Sequence, residues 1–113
     1  MPYIEAKLSV KLDENQKNEL QAKLTDVVSG AFSKPKAYIM TGIEDGKSLY
    51  MAKKKLNGGA YISISLLGSA SKPACQNLTA SICDILSDYG IDGSNVYVTY
   101  HPVDLWGWNS SMF

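Results

Sequence analysis

The feature that most constrains the fold is a strand–helix–strand pattern at the start of the chain. Apolar and polar residues alternate over residues 4–12, which predicts a strand with one buried face. Asp13, with Gln16 three positions later, has the pattern of a capping box at a helix start. Apolar residues at helical spacing continue to Phe32, and Pro35 ends the helix. Strand-forming residues then occupy residues 37–43.

The same pattern occurs a second time, displaced by about 58 residues. Residues 61–67 predict a strand, a helix follows with Pro73 in its first turn and Gly90 at its end, and residues 96–100 predict the answering strand. A crossover helix makes the two strands that flank it parallel. The chain therefore predicts an α+β fold in which both helices cover one face of a four-stranded mixed sheet.

The other face of this sheet has no helix to cover it. It includes Tyr3, Tyr61 and Leu67, whose large side chains would otherwise meet water. We therefore expect a partner subunit on this face.

Length and charge define the general class of protein. The 113 residues suit a single domain, residues 1–113, and 11 basic residues balance 11 acidic ones. A neutral chain does not favour nucleic-acid binding through bulk attraction. No stretch approaches the ~20 apolar residues of a membrane span, and the first residues lack the pattern of a signal peptide. The expected location is cytoplasmic, without membrane insertion.

Pro2 is a candidate catalyst because it follows the start methionine. Removal of Met1 is usual when the next residue is small, and it would leave a secondary amine at Pro2. A free α-amino group titrates near ~8, and burial or a neighbouring cation lowers that pKa. Such an amine can act as a general base at neutral pH. An ordinary chain start is the alternative, and these two residues alone do not distinguish the two.

The C-terminal residues are unusually aromatic for a chain end. Trp106, Trp108 and Phe113 lie within the last eight residues, whereas termini are commonly polar and mobile. Such side chains either dock on a neighbouring subunit or line an apolar pocket. Ordinary packing in a core or an interface explains them equally well.

The cysteines and the single histidine predict little chemistry. Cys75 and Cys83 are eight positions apart in one helix, and about 12 Å of helical rise prevents a disulfide between them. We expect both to be buried apolar residues. His101 has no metal-ligand spacing around it and is expected in a turn. No metal or other cofactor is predicted.

Residues 47–58 give the weakest pattern. Residues 49–51 could form a short strand, and residues 57–59 indicate a turn. Residues 53–55 are three lysines, which we expect to form a solvated loop rather than a polyanion site.

Five short segments occur in a characteristic order and spacing. They are Pro2 behind the start methionine, Lys34-Pro35 with Tyr38-Ile39-Met40, Leu67-Gly68, Val96-Tyr97-Val98 and the closing residues 108–113. Together they resemble the macrophage migration inhibitory factor family of the tautomerase superfamily, from one end of the chain to the other. The resemblance implies a homotrimer with an amino-terminal proline as catalytic base. Family members interconvert keto and enol forms of phenylpyruvate-like 2-oxo acids and act on dopachrome-type compounds in vitro.

The resemblance also implies a role for each matching residue. Pro2 would be the base, and Lys34 would bind the substrate carboxylate or carbonyl oxygen with help from the backbone N–H of Leu67. The other substrate-binding positions would be Tyr38, Trp108 and Phe113 in the pocket wall and Tyr97 from the neighbouring subunit.

Lys34 has a chemical rationale of its own beside Pro2. A cation there would disfavour the protonated amine, attract an anionic substrate and stabilise a developing enolate. Without Pro2, Lys34 would be interpreted as a lysine placed favourably against the dipole at a helix C-terminus.

Three positions depart from the family pattern. Thr99 stands where many relatives carry an asparagine that contacts the ligand, which puts one substrate hydrogen bond in doubt. A glycine-rich loop of the family is replaced by residues 51–55. The Cys-x-x-Cys pair of some relatives is absent at residues 59–62, which predicts no thiol oxidoreductase activity.

A second hypothesis is an extracellular signalling protein. Family members are exported without a signal peptide and act as cytokines. This alternative implies a cell-surface receptor as partner, secretion by a non-classical route and a tautomerase pocket that is weak or vestigial.

Overall fold

The structure is a computed structural model that describes residues 1–113. It contains two α-helices and eight β-strands, with single turns of 3-10 helix at Lys36–Tyr38 and Gly93–Asn95. In chain order the elements are β1 (Tyr3–Leu8), α1 (Glu14–Phe32), β2 (Met40–Glu44), β3 (Tyr50–Met51), β4 (Lys54–Lys55), β5 (Ala60–Leu67), α2 (Lys72–Ser87), β6 (Val96–Val103), β7 (Gly107–Trp108) and β8 (Ser111–Met112).

Strands β1, β2, β5 and β6 form one mixed sheet. Its order is β2-β1-β5-β6, with β1 parallel to β2, β5 parallel to β6 and β1 antiparallel to β5. A helix connects the two strands of each parallel pair, as the predicted strand–helix–strand units require. In the central antiparallel pair, Ile4 lies opposite Ile64 and Ala6 opposite Ile62. The predicted α+β fold with a four-stranded mixed sheet is confirmed.

The core lies between the helices and one face of this sheet. Buried and partly exposed residues alternate along β1 and β5, so that every second side chain points into the core. Pro2, immediately before β1, is also buried. The helices contribute Leu20, Leu24 and Val28 from α1 and Leu78, Ile82 and Leu86 from α2.

Local signals in the sequence set the two ends of α1. Asp13 Oδ1 accepts a hydrogen bond from Gln16 N at 2.8 Å, and Asp13 N donates to Gln16 Oε1 at 3.0 Å. The predicted capping box is therefore present. At the other end Ser33 adopts a left-handed backbone conformation, with φ 52° and ψ 44°. The N–H groups of Ser33 and Lys34 both donate to the carbonyl of Ser29, which closes the helix.

Strand β1 is shorter than its apolar pattern predicted. It ends at Leu8 rather than at residue 12, because the chain bends at Ser9 and Val10. Ser9 N donates to Gly59 O at 3.0 Å, and Val10 O accepts from Gly46 N at 2.8 Å. The alternation continues beyond the strand because residues 10 and 12 still pack against the core.

Strand β2 also starts later than predicted. Residues 37 and 38 belong to the 3-10 turn Lys36–Tyr38, in which Tyr38 N donates to Pro35 O at 3.1 Å. The strand begins at Met40. The predicted strand over residues 37–43 is therefore confirmed only in its second half.

Residues 50–55 form a hairpin from β3 and β4. Ala52 and Lys53 connect its strands with φ values of 52° and 67°, the left-handed backbone of a tight two-residue turn. All three lysines of residues 53–55 are exposed, as expected. The prediction of a loop is wrong for Lys54 and Lys55, which lie in β4.

Helix α2 carries both cysteines, and neither is fully buried. Cys75 and Cys83 are free thiols with intermediate exposure, so the prediction that they are buried is wrong. Neither is among the buried residues of α2, which are Leu78, Ile82 and Leu86. Burial nevertheless raises the pKa of each thiol above its ordinary value.

Neither α2 nor α1 combines the length and apolar character needed to cross a membrane.

Replacing Gly58 by alanine is expected to destabilise the fold by about 2 kcal/mol, because overpacking against a fixed backbone forces the chain to move. A Cβ atom at Gly58 would overlap the backbone carbonyl oxygen of Gly90. The measurement is the free energy of unfolding in urea at one protein concentration. Gly30→Ala is the matched control, since no atom other than those of its chain neighbours and of the α1 backbone lies within 4 Å of its Cβ position. This change inside α1 should stabilise by about 0.5–1 kcal/mol. Equal stability of Gly58→Ala and the parent protein would contradict the close approach.

Candidate active site

A cavity of about 420 Å³ lies at the start of β1. Met1 and Pro2 line it, together with Met40 from the neighbouring strand β2. Met40 N donates to Pro2 O at 3.2 Å, which holds the chain start against the sheet. Nine of the eleven lining residues are hydrophobic. Size and apolar lining suit a small organic ligand.

Three aromatic rings form one wall of this cavity. Tyr38 stands edge-on to Trp108, with ring centroids 5.5 Å apart, and edge-on to Phe113, with centroids 6.1 Å apart. Trp108 and Phe113 stack on each other at 5.5 Å with 17° between their planes. Both arrangements are favourable for aromatic pairs. Tyr38 remains 43% exposed, Trp108 53% and Phe113 49%, so an apolar ligand can still contact the three rings.

The C-terminal hairpin brings two of these rings to the chain start. Asn109 and Ser110 join β7 to β8 with φ values of 51° and 65°. Phe113 N donates to Trp106 O at 3.0 Å, which returns the last residue alongside Trp108. Of the alternatives that the sequence left open for the aromatic tail, the structure shows the lining of an apolar pocket within the subunit.

Lys34 connects the end of α1 to the end of β5. Its Nζ donates to the carbonyl oxygen of Leu67 at 3.1 Å. Lys34 does not line the cavity itself, but its charge acts on the amino terminus. Burial lowers the pKa of the Met1 α-amino group, and the Lys34 ammonium lowers it further. A cation therefore lies close enough to the chain start to disfavour a protonated amine there.

Leu67 contacts Lys34 through its carbonyl group. The resemblance implies that the N–H of Leu67 binds substrate, and this role stays a prediction. The next residue, Gly68, has φ 97° and donates its N–H to Val103 O at 3.0 Å. This left-handed residue turns the chain away at the end of β5.

Tyr97 and Thr99 lie apart from the cavity within one subunit. Both are on β6, which β5 separates from β1, and neither lines the cavity. Tyr97 is 66% exposed. A neighbouring subunit would have to bring it to a second copy's cavity, and that arrangement stays a prediction.

The hydroxyl of Thr99 already has two partners. Thr99 Oγ1 lies 2.8 Å from Tyr61 Oη and 2.8 Å from His101 Nε2. His101 lies inside β6, so its prediction as a turn residue is wrong. The alternation of β6 places Thr99 and His101 on one face of the sheet, where their side chains meet.

Seven further residues that line the cavity were not predicted as site residues. Trp106 belongs to the aromatic tail, whose composition was a signal for it. The others lie next to or near predicted site residues in the sequence. They are Met1, Tyr3, Ala37, Ile39, Met40 and Gly107. Spacing alone does not show which of these neighbours face the cavity.

The site combines an amine with a lowered pKa, a nearby cation and aromatic walls. A neutral amine can accept and return a proton, and the cation can attract an anion. No group of three or more His, Cys, Asp and Glu side chains is arranged to hold a metal ion. The arrangement suits proton transfer on an anionic aromatic molecule.

Fold and cavity together define a class: α+β proteins of two strand–helix–strand units whose chain start opens into an apolar, aromatic-lined cavity. A family model described as macrophage migration inhibitory factor (MIF) matches residues 1–113. The chain belongs to this family, as its sequence segments predicted.

Solved structures of the family have the same fold. A macrophage migration inhibitory factor from Leishmania major is 24% identical, with a TM-score of 0.92 over 100% of this chain and 97% of its own. A macrophage migration inhibitory factor-like protein from Entamoeba histolytica is 25% identical, with a TM-score of 0.89 over 99% and 98% of the two chains. A homologue from Prochlorococcus marinus is 24% identical, with a TM-score of 0.89 over 98% of each chain. No curated protein sequence matches the chain.

The family and its structural neighbours belong to the tautomerase superfamily. Membership supports, in general terms, an isomerase of the tautomerase type or a function like that of macrophage migration inhibitory factor.

Proposed function

We propose that the protein is a keto–enol tautomerase for phenylpyruvate-like 2-oxo acids, and for dopachrome-type compounds in vitro, with Pro2 as the general base. One observation carries the proposal. The start of β1 places Pro2 in the wall of an aromatic-lined cavity, where the charge of Lys34 reaches the chain start. The proposal includes removal of Met1, which makes the Pro2 nitrogen the terminal amine, and it requires no cofactor.

The proposed reaction moves one proton between oxygen and carbon. In the enol-to-keto direction, the neutral Pro2 nitrogen takes the proton of the enol hydroxyl, and the resulting enolate electrons return to carbon as that carbon receives a proton from Pro2. The Lys34 ammonium stabilises the negative charge that develops on oxygen and binds the substrate carboxylate. The base ends in its starting state, so one amine suffices for both transfers.

The walls of the cavity account for an aromatic substrate. Tyr38, Trp108 and Phe113 offer ring edges and a stacked pair to the substrate ring. The backbone N–H of Leu67 is assigned to a substrate oxygen. Thr99 is assigned a weaker contact than an asparagine would make, since its hydroxyl is shared with two other side chains.

A structural neighbour supports the chemistry of 2-oxo acids. It is 16% identical, with a TM-score of 0.85 over 96% of this chain and 93% of its own, and it was crystallised after inactivation by 2-oxo-3-pentynoate. That compound carries the carbonyl and carboxylate groups of the proposed substrate class.

The functional unit is proposed to be a homotrimer. A fused 4-OT neighbour, 16% identical with a TM-score of 0.83, is described as a symmetric trimer. The uncovered face of the sheet supports such packing, because it carries Tyr61 and the largely exposed Tyr97. Sedimentation should give three times the 12.3 kDa subunit mass, with Tyr97→Ala weakening the assembly or the activity. A monomer at micromolar concentration contradicts this proposal.

The direct test is a phenylpyruvate ketonisation assay on the purified protein. Intact mass spectrometry should show that Met1 is absent, and the processed protein should turn over phenylpyruvate faster than buffer does. A correctly processed protein without turnover of phenylpyruvate or a dopachrome ester contradicts the proposed function.

A second candidate function follows from the family, whose name is macrophage migration inhibitory factor. It is a cytokine-like protein that leaves the cytoplasm by a non-classical route and binds a host cell-surface receptor. A Pro2→Gly variant that loses turnover but keeps binding to receptor-bearing cells would support this candidate. Absence of binding by either protein would eliminate it.

A further inference from the structure

The hydroxyl of Ser29 bonds in an unusual direction for a helical residue. Ser29 Oγ donates forward to the carbonyl oxygen of Lys34 at 2.5 Å, beyond the end of α1. In α2, Thr79 and Ser87 donate backward to carbonyls within their own helix, at 2.8 Å and 2.6 Å. Backward bonding is the usual pattern for serine and threonine in helices. Ser29 therefore binds a residue outside its helix at the expense of the usual internal bond.

The main chain of Ser29 holds the same residue from the other side. Lys34 N donates to Ser29 O at 3.1 Å, a carbonyl that also accepts from Ser33 N. Ser29 thus binds both the N–H and the C=O of Lys34. Pro35 restricts the residue before it to extended conformations. The backbone of Lys34 is consequently held by two hydrogen bonds and one steric constraint.

A fixed backbone determines where the Lys34 ammonium can lie. A lysine side chain has many rotamers, and a moving main chain would add to their spread. Here the side chain begins at a held backbone and ends at Leu67 O, 3.1 Å from Nζ. The position of the charge relative to the chain start therefore depends on both attachments.

We propose that Ser29 is a positioning residue whose hydroxyl holds Lys34 so that its ammonium stays beside the terminal amine. Its effect on turnover rests on the proposed tautomerase function. Its effect on the amine does not.

Ser29→Ala is expected to raise KM for phenylpyruvate about three- to tenfold, in line with the loss of one hydrogen bond. The effect on kcat should be smaller. The acid limb of kcat/KM should move to higher pH, because a displaced cation disfavours the protonated amine less. Ser29→Thr keeps the hydroxyl and should restore most of the loss. Ser87→Ala is the matched control, because it removes a hydroxyl near the C-terminal end of the other helix; it should change neither KM nor the pH profile.

A double-mutant cycle tests the route through Lys34. In a Lys34→Ala background, Ser29→Ala should have no further effect on KM, since the group that it positions is gone. An unchanged KM in Ser29→Ala alone overturns the proposal. A rise in KM that persists in the Lys34→Ala background also overturns it, because Ser29 would then act by another route.

A nuclear magnetic resonance titration separates this inference from the proposed activity. Should the processed protein lack turnover, the pKa of the Pro2 amine can still be measured in it and in Ser29→Ala. A higher pKa in Ser29→Ala, with Ser87→Ala unchanged, supports the positioning role without any enzyme. Equal values in the parent protein and Ser29→Ala reject it.

Discussion

Replacing Pro2 by glycine is expected to lower kcat/KM for phenylpyruvate by about 100-fold or more, the rate enhancement that a well-positioned general base supplies. Glycine is also small, so Met1 should still be removed and an amine should remain. What the variant loses is the ring that holds the nitrogen, since Pro2 is buried and glycine has far more backbone freedom. KM should change less than kcat, because Lys34 and the aromatic wall are untouched. Steady-state kinetics with intact mass recorded for each sample provides the measurement.

Pro73→Gly is the matched control for this substitution. Pro73 lies exposed in the first turn of α2, away from the cavity. Its replacement should lower stability slightly and leave turnover unchanged. Equal rates for Pro2→Gly and the parent protein, both with Met1 removed, would discard Pro2 as the base.

The sheet and helices were predictable because their signals are local. In β1, Ile4, Ala6 and Leu8 are buried while their neighbours are partly exposed, so the two-residue period is visible in the sequence. The capping box of Asp13 and Gln16 likewise joins residues three positions apart. The same locality explains the error beyond Leu8, where apolar residues still pack on the core although the strand has ended.

The rest of the site depends on contacts between distant parts of the chain. Trp108 and Phe113 meet Tyr38 about 70 residues away, and no periodic pattern encodes such a contact. The family resemblance supplied those residues, whereas composition alone left the aromatic tail undecided. The bond between Ser29 and Lys34 spans five positions, but its forward direction depends on the left-handed turn at Ser33.

Tyr61, Thr99 and His101 form a row of hydrogen-bonded side chains on the uncovered sheet face. This contact also could not be predicted from local sequence patterns. Tyr61 and Thr99 come from different strands, and only the register of β5 with β6 brings their hydroxyls together. His101 joins them because β6 continues past the residues predicted for it, up to Val103. Pro102 directly follows His101 and suggested a turn there. Strand β6 is an edge strand of the sheet, however, where the missing N–H of a proline is tolerated.

Lys34→Ala should lower kcat/KM at neutral pH by about 10- to 100-fold, through two separable effects of one charge. The first is weaker binding of the substrate carboxylate, which raises KM. The second is a change in the amine itself. The Lys34 charge lowers the pKa at the chain start, so removing it raises that pKa toward its ordinary value, and less of the base is neutral at pH 7. The acid limb of the profile of kcat/KM against pH should therefore move to higher pH, and part of the lost rate should return in alkaline buffer.

Two lysine variants separate charge from general damage. Lys36→Ala removes a cation two positions away, where Lys36 Nζ pairs with Asp26 at 2.9 Å in an exposed ion pair. Such pairs contribute little, so its pH profile should match that of the parent protein. Lys34→Arg keeps the charge and should retain the acid limb even if the altered shape raises KM. If Lys34→Ala weakens binding but leaves the acid limb in place, burial alone sets the pKa of the amine, and Lys34 acts only on the substrate.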